Sequence, residues 1–479
     1  MKKLRFLLPF ALIAMLLPAM VGCISDDFTT SPSDVLSFST DTVSFDTVFT
    51  DLGTPTARLK VYNRAKKSVN ISSIRFASPE SNFTMNVDGQ SGREFSDVEI
   101  RGGDSIFVFI ECYIPEQEQN EPQLVEDNLQ FVTNGVTQNV LCEAWGQNVT
   151  RLRELTIESD TTFTAEIPYV VFGSLTVAEG ATLTIEPGAN VLFHDGATMT
   201  VNGTLNAVGA PGKMINFRGD RLDNVLPDVS YDILAGQWGG IRIAPESFGN
   251  RMEYVDMRST KTGLVVDSCS NLDQRKLLLV NSWLHNSQQN ALEVNYAWVD
   301  AYGCVFSEAA WASVYLAGGI HSFIQCTLSN YYLFSVPSDP LLTLAHCMPE
   351  DLVEDPYQPL MVAVFDNCIF YGMPADLNIG DLTGSDVYLQ FCSLKSPGTD
   401  DDNFIGCLWD TDPLFLTVRS DYYFNYHVQE DSPVIGMGYA PFLDEYTYTD
   451  MDGVNRLAVS PNGSPTLGAY ASPQATGTE

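Results

Sequence analysis

Residues 36–144 alternate between apolar and polar in short runs. The runs cover 43–49, 57–63, 71–74, 105–114, 128–133 and 138–144. Asp51-Leu52-Gly53, Asn63-Arg64, Gly102-Gly103 and Asn134-Gly135 punctuate them. A period of two buries one face of a strand, and turn residues between such runs predict a sandwich of about seven strands over 36–148. From Gly173 the pattern tightens to units of about eight residues: Leu175/Val177, Leu183/Ile185, Val191/Phe193, Met199/Val201 and Leu205/Ala207. Gly180, Gly188, Gly196 and Gly203 stand between them, where a positive φ costs little. Strands this short cannot cover their own apolar edges, so they must stack.

A longer rhythm follows. Ser282, Cys304, Cys326, Cys368 and Cys392 sit in matching apolar settings at steps of 22, 22, 42 and 24. One strand per period near 22 is a solenoid signature. Second strands are expected at Leu292 and Val314, 10 residues after Ser282 and Cys304. After Cys326 the second strand is placed at 341–344, so the long step is one coil with two enlarged turns. Cys347 falls off the ladder. If the ladder points inward, its neighbours point outward. Those rows are Asn281, Gly303, Gln325, Asn367, Phe391 and Trp283, Val305, Thr327, Ile369, Ser393. They hold no acid, base or nucleophile, which argues against catalysis on that face. Small buried thiols filling the core are the expected state of the ladder.

The repeating block and its continuations, Lys213-Met214-Ile215-Asn216-Phe217 and Gly236 to Ile243, resemble the opening coils of right-handed parallel β-helices of the pectin-lyase-like class. The resemblance implies an all-β chain, with an N-terminal immunoglobulin-like β-sandwich followed by a right-handed parallel β-helix solenoid over 149–470. The hairpin Phe131 to Gly135 and Val140 to Gly146 resembles the last one of bacterial immunoglobulin-like modules, which are mostly spacers or binding units. Asp412-Pro413, Asp431 to Gly438, Asp450 to Arg456 and Pro465 to Tyr470 resemble the C-terminal signature of bacterial β-helix proteins. They are expected to cap the open end of the stack. Residues 471–479 read as a disordered tail.

The first 22 residues read as a signal peptide. Lys2, Lys3 and Arg5 precede an apolar stretch too short to span a bilayer as a mature helix. Met20-Val21-Gly22-Cys23 resembles a bacterial lipobox, which implies lipidation of Cys23 and a membrane partner. Residues 23–35 form the tether. Ser25-Asp26-Asp27 resembles the export signal of Bacteroidetes surface lipoproteins, which implies an outer-membrane protein facing outward.

Charge narrows the partners. The formal net charge is −35. Such a surface repels polyanions, so nucleic acid is not an expected ligand. β-Helix hydrolases resembling polygalacturonases carry Asn-Thr-Asp, Asp-Asp, Gly-His-Gly and Arg-Ile-Lys motifs. Asp-Asp has a match at Asp400-Asp401-Asp402, in a turn-like setting that reads as a solvated charge run, and the other three are absent. The best basic cluster for a lyase, Arg275-Lys276, lacks a carboxylate array. No metal site or cofactor emerges from the histidine and cysteine spacings. Asp450 and Asp452 form a weak candidate pair for Ca²⁺, with a loop clamp to Arg456 as the competing reading. Cys112 and Cys142 are either a disulfide or two buried thiols.

Two insertions are the candidate ligand-binding loops, since solenoid insertions map to the functional face. One contributes Asp220, Asp223, Asp228 and Tyr231. The other contributes His346, Glu350, Asp351, Glu354, Asp355 and Tyr357, beside Tyr331 and Tyr332. The resulting expectation is a lipoprotein that binds a glycan or another cell-surface ligand without turnover. Its rivals are a polysaccharide lyase or glycoside hydrolase with an unrecognised site, and a structural adhesin. A groove gathering Asp, Glu, Arg or His from adjacent coils would favour the enzyme.

Overall fold

The computed structural model describes residues 27–226, 229–347, 358–380, 382–420, 422–471 and 473. Cys23, Asp228, Glu350, Asp351, Glu354, Asp355, Tyr357 and most of 471–479 lie outside the described residues. The protein is nearly all-β and divides into two compact units, Met1–Asn148 and Val149–Glu479.

In the first unit the alternating runs build a five-stranded and a six-stranded sheet. Pairing is antiparallel except between Thr42–Phe49 and Val136–Gln147. The two sheets share one core in which Leu59, Val61, Ile71, Ile74, Val108, Ile110, Leu129 and Phe131 are buried. Eleven strands form where about seven were expected, because short pieces such as Gln90–Gly92 and Val98–Ile100 add to the edges. Cys112 and Cys142 are free, and burial pushes both thiols up to about 12.

The second unit holds a single sheet path of 25 strands, paired in parallel. Each strand bonds a strand about one coil later, so three ladders run side by side. One contains Val255–Thr260, Trp283–Ser287, Val305–Ala309, Thr327–Leu328, Ile369–Phe370 and Ser393–Leu394. Its register is Asp256↔Trp283↔Val305↔Thr327↔Ile369↔Ser393. Val255, Ser282, Cys304, Cys326, Cys368 and Cys392 precede these residues and are all buried in the continuous core. Ser282 is tolerated there because its Oγ donates to the Val280 carbonyl at 2.8 Å and accepts the Val255 N–H at 3.1 Å. The Ser393↔Leu408 bridge adds Cys407 as a further rung, which the cysteine spacing did not suggest.

Two details of the expected coil geometry change. The second strand after Cys326 is Leu342–Ala345, with Val314 opposite Leu342, one residue later than expected. The C-terminal pieces expected to cap the stack lie along its flank instead. Asn281, Gly303, Gln325, Asn367 and Phe391 each turn the chain with a positive φ, leaving polar groups and ring faces pointing sideways. The C-terminal segment bonds to that edge: Asn281 Nδ2 donates to Thr449 O at 3.3 Å, and Asn367 Oδ1 accepts Tyr439 N–H at 2.8 Å. Tyr439 stacks on Phe391 at 4.9 Å. Arg456 is fully buried and donates to the carbonyls of Thr447, Gly468 and Ala469 and to Gln325 Oε1. Asp450 serves the backbone too, accepting from the N–H groups of Asp452, Val454 and Ala471. Each residue thus clamps main chain rather than the other. Among the described residues no three His, Cys, Asp or Glu side chains gather as a metal ion requires.

Candidate active site

The outward row beside the ladder does not begin at Trp283. One coil earlier it contains Asp256, and two residues along lies a second outward row, Arg258↔His285↔Ser307. The register then slips in a useful way. Ser259, Asn286 and Glu308 all have positive φ, between 45° and 64°, so each strand places two consecutive residues outward before Thr260, Ser287 and Ala309 return to the interior. A left-handed glutamate costs on the order of 1 kcal/mol, and such strain persists where the surroundings over-determine it. Here it turns Glu308 out of the core toward His285.

The three coils converge on a pocket of about 270 Å³. Asp256, Arg258, Trp283, His285 and Glu308 form its floor and wall; Asp232, Tyr332, Tyr422 and Tyr423 complete it. The Asp232 loop is pinned from below. Ser259 Oγ and Asn286 Nδ2 both donate to the Asp232 carbonyl, at 2.6 and 2.7 Å. Tyr422 and Tyr423 are exposed at the rim.

The polar groups are wired to one another. His285 Nε2 lies 3.1 Å from Asp256 Oδ1, and Arg258 holds the other Asp256 oxygen. Arg258 Nε also reaches Asp232 Oδ2 at 3.0 Å, where Arg218 arrives at 3.1 Å. Trp283 stacks on His285 at 4.2 Å between ring centres, and its indole N–H donates to Ser307 Oγ at 2.7 Å. Ser307 Oγ in turn bonds Glu308 Oε2 at 2.5 Å, and Tyr426 holds Oε1.

This wiring separates the two carboxyl groups. Burial pushes Glu308 up, and the opposing pull of His285, Ser307 and Tyr426 does not cancel it. Burial would also raise Asp256, but Arg258 and the His285 bond outweigh it and hold Asp256 well below the usual carboxylate range. Asp232 is likewise lowered, because Arg218 and Arg258 overcome its burial. Two acids in one pocket with opposite shifts are a recognised arrangement for acid–base work. The cations present are matched by carboxylates: Arg218 and Arg258 face Asp232 and Asp256.

The loops singled out in the sequence contribute less. Asp220 bonds His194 at 2.7 Å, and burial raises its pKa against that bond. Asp223 bonds Arg221, whose guanidinium lies 3.9 Å from the Tyr231 ring centre. Among the described residues of that loop, Asp232 and Ile233 at its far end line the pocket. Tyr332 lines the pocket, whereas Tyr331 packs against the C-terminal segment. His346 lines a separate, polar depression with Asp267, Tyr315 and Cys347, and its Nδ1 accepts the Leu360 N–H at 3.0 Å. Arg275 pairs with Asp300 at 3.0 Å, and Lys276 is buried with its ammonium on the carbonyls of Pro245 and Asp267.

Sequence reasoning missed Asp256, Arg258, His285 and Glu308. The step from Val255 to Ser282 is 27 residues, because the coil swells around 268–275, so counting back by 22 from Trp283 stops at Lys261, short of Asp256. His285 lies three residues beyond the ladder, one outward position further than the rows that were read. Glu308 needs the left-handed kink, which no hydrophobic period announces.

No protein-family model matches the chain, and no curated protein matches its sequence. Among solved structures, a protein of unknown function from Porphyromonas gingivalis W83 aligns with 26% of this chain and 60% of its own, at 11% identity and a TM-score of 0.19. A family 123 glycoside hydrolase from Clostridium perfringens aligns with 25% of this chain and 30% of its own, at 8% identity and a TM-score of 0.18. The catalytic domain of a GH87 alpha-1,3-glucanase in complex with tetrasaccharides covers 74% of this chain and 87% of its own, at 9% identity and a TM-score of 0.15. Scores this low carry no argument about function.

Proposed function

We propose that the second unit is a right-handed parallel β-helix whose pocket binds a neutral sugar chain. It is carried behind an immunoglobulin-like spacer on an outer-membrane lipoprotein, tethered through Cys23 and facing outward. The observation that carries the sugar reading is the company Trp283 keeps. An indole and several tyrosines stand beside carboxylates and guanidinium groups whose charges balance. Ring faces stack on the C–H faces of sugars, and fixed carboxylates accept bonds from hydroxyls. Balanced charge and a net charge of −35 both disfavour a polyanionic ligand. The presence of a polar pocket also weighs against a purely structural adhesin.

Calorimetric titration of the full chain with neutral and uronic-acid oligosaccharides tests the reading. A neutral oligosaccharide should bind, and Trp283→Ala should weaken it at least about tenfold, the equivalent of about 1.4 kcal/mol. Binding confined to acidic oligosaccharides would overturn the neutral-sugar reading. The anchor is tested separately: Cys23→Ser should abolish fatty-acid labelling and release the protein from the membrane fraction.

A further inference from the structure

We propose that this pocket hydrolyses the glycosidic bond of the sugar it binds, with Glu308 as the proton donor to the leaving oxygen and His285 as the base that takes a proton from the attacking water. The inference rests on the sugar-binding reading above and adds turnover to it.

The geometry assigns the roles. His285 Nε2 faces Asp256 Oδ1 at 3.1 Å, so the tautomer with its proton on Nε2 satisfies that carboxylate. Among the described residues the other ring nitrogen, Nδ1, has no hydrogen-bond partner, and its lone pair is left for a proton. Asp256 is a positioning residue: Arg258 fixes it, and it fixes the imidazole. Glu308 comes from the coil after His285 and has no ion-pair partner among the described residues. Its two oxygens accept the hydroxyls of Ser307 and Tyr426, which orient the carboxyl group without placing a cation against it. Trp283 ties both halves together, stacking on His285 and donating to Ser307.

The step balances without a cofactor. The bond from the anomeric carbon to the leaving oxygen breaks as Glu308 delivers its proton to that oxygen. The oxygen of water forms the new bond to the anomeric carbon and loses its proton to His285 Nδ1. The imidazolium then returns that proton through solvent, and Glu308 regains one. Acid and base are separate groups, which follows the two-group logic of glycoside hydrolysis with an imidazole in place of the second carboxylate.

The test uses the full chain with soluble α- and β-glucans, mannan, xylan and galactan, reading binding by intrinsic tryptophan fluorescence and cleavage by new reducing ends. At least one bound polysaccharide should be cut. Glu308→Gln and His285→Gln should each lower kcat at least about 100-fold while the polysaccharide still binds. Asp256→Asn should lower kcat with KM little changed, and Asp256→Glu should restore part of it. Thermal unfolding of each variant separates lost chemistry from lost fold, and His285→Gln leaves the hydrogen bonds of Glu308 intact. Binding with no bound polysaccharide cut overturns turnover and leaves the sugar-binding reading standing. Cleavage that survives Glu308→Gln overturns the assignment of the acid. Binding to none of the polysaccharides overturns both readings.

Discussion

The inner and outer rows of one ladder obey different rules. The inner row through Met257, Leu284, Phe306, Leu328, Phe370 and Leu394 is apolar from end to end, because every coil faces the same core. The outer row changes character along its length. At the pocket it holds Asp256 and Trp283, and it continues through Val305, Thr327 and Ile369, all three buried. Those residues are not bare. Val305 and Ile369 pack in a second cluster with Phe415, Tyr426, Val428, Val434 and Leu467 of the C-terminal segment. An outer row is thus polar where it meets solvent and apolar where the chain folds back over it. The lack of acids along most of this row reflects that cover and says nothing about chemistry at its open end.

The largest effect that sharpens this contrast belongs to the inner row. Phe306 is fully buried and packs against Phe323, with ring centres 5.8 Å apart. Phe306→Ala should cost about 3–5 kcal/mol in urea unfolding, through lost transfer energy and the cavity left behind. Sugar binding per folded molecule should be unchanged. A large loss of affinity at full folding would show that the core and the pocket are not separable in this way.

Next comes the cover over the outer row. Arg456→Ala removes the donor shared by three carbonyls and Gln325, and an unsatisfied buried acceptor costs about 1–3 kcal/mol. A net loss of about 3 kcal/mol is expected. Limited proteolysis should then cut within 412–470 before it cuts the stacked coils. Because Tyr422, Tyr423 and Tyr426 travel with that segment, sugar affinity should fall as well. A variant that resists protease as the wild type does would refute the claim that Arg456 holds the cover down.

Much of the scaffold was legible because stacking imposes a strict spacing. A strand must place its apolar residues every second position, and the next coil must bring the same position back over it. Leu183, Leu205 and the residues after each glycine show this directly, as does the run from Ser282 to Cys326. The site was less legible for physical reasons. Loops change coil length, so the 27-residue step to Asp256 breaks the count. The left-handed kink at Glu308 depends on neighbours in space. The C-terminal segment resembles an end cap in sequence, yet its partners are sideways-facing groups at Asn281, Gln325 and Asn367. Acidic loops draw attention by composition, but Asp220 and Asp223 are engaged by His194 and Arg221 next to them.

The most conditional effect concerns pH, and it sets one buried carboxyl group, Asp366, against Asp256 and Asp232 on the same unit. Asp366 sits just before the left-handed turn at Asn367, paired in register with Ile324 and Gln390. Burial pushes its pKa up to about 7, and its Oδ1 has no hydrogen-bond partner. An unfolded aspartate titrates near 3.9. Between roughly pH 4 and pH 7 the folded state therefore holds more protons than the unfolded state, so stability falls as pH rises through that window. Asp256 and Asp232 act with the opposite sign. Their folded values are lowered, so their contribution is present above the unfolded value and is lost as pH falls. Asp366→Asn should raise stability by about 2–4 kcal/mol at pH 8, with little change at pH 4, where the wild-type carboxyl is protonated in the folded state. Urea midpoints measured across that range check it. A gain of equal size at both ends of the range would place the cause in packing instead of ionisation.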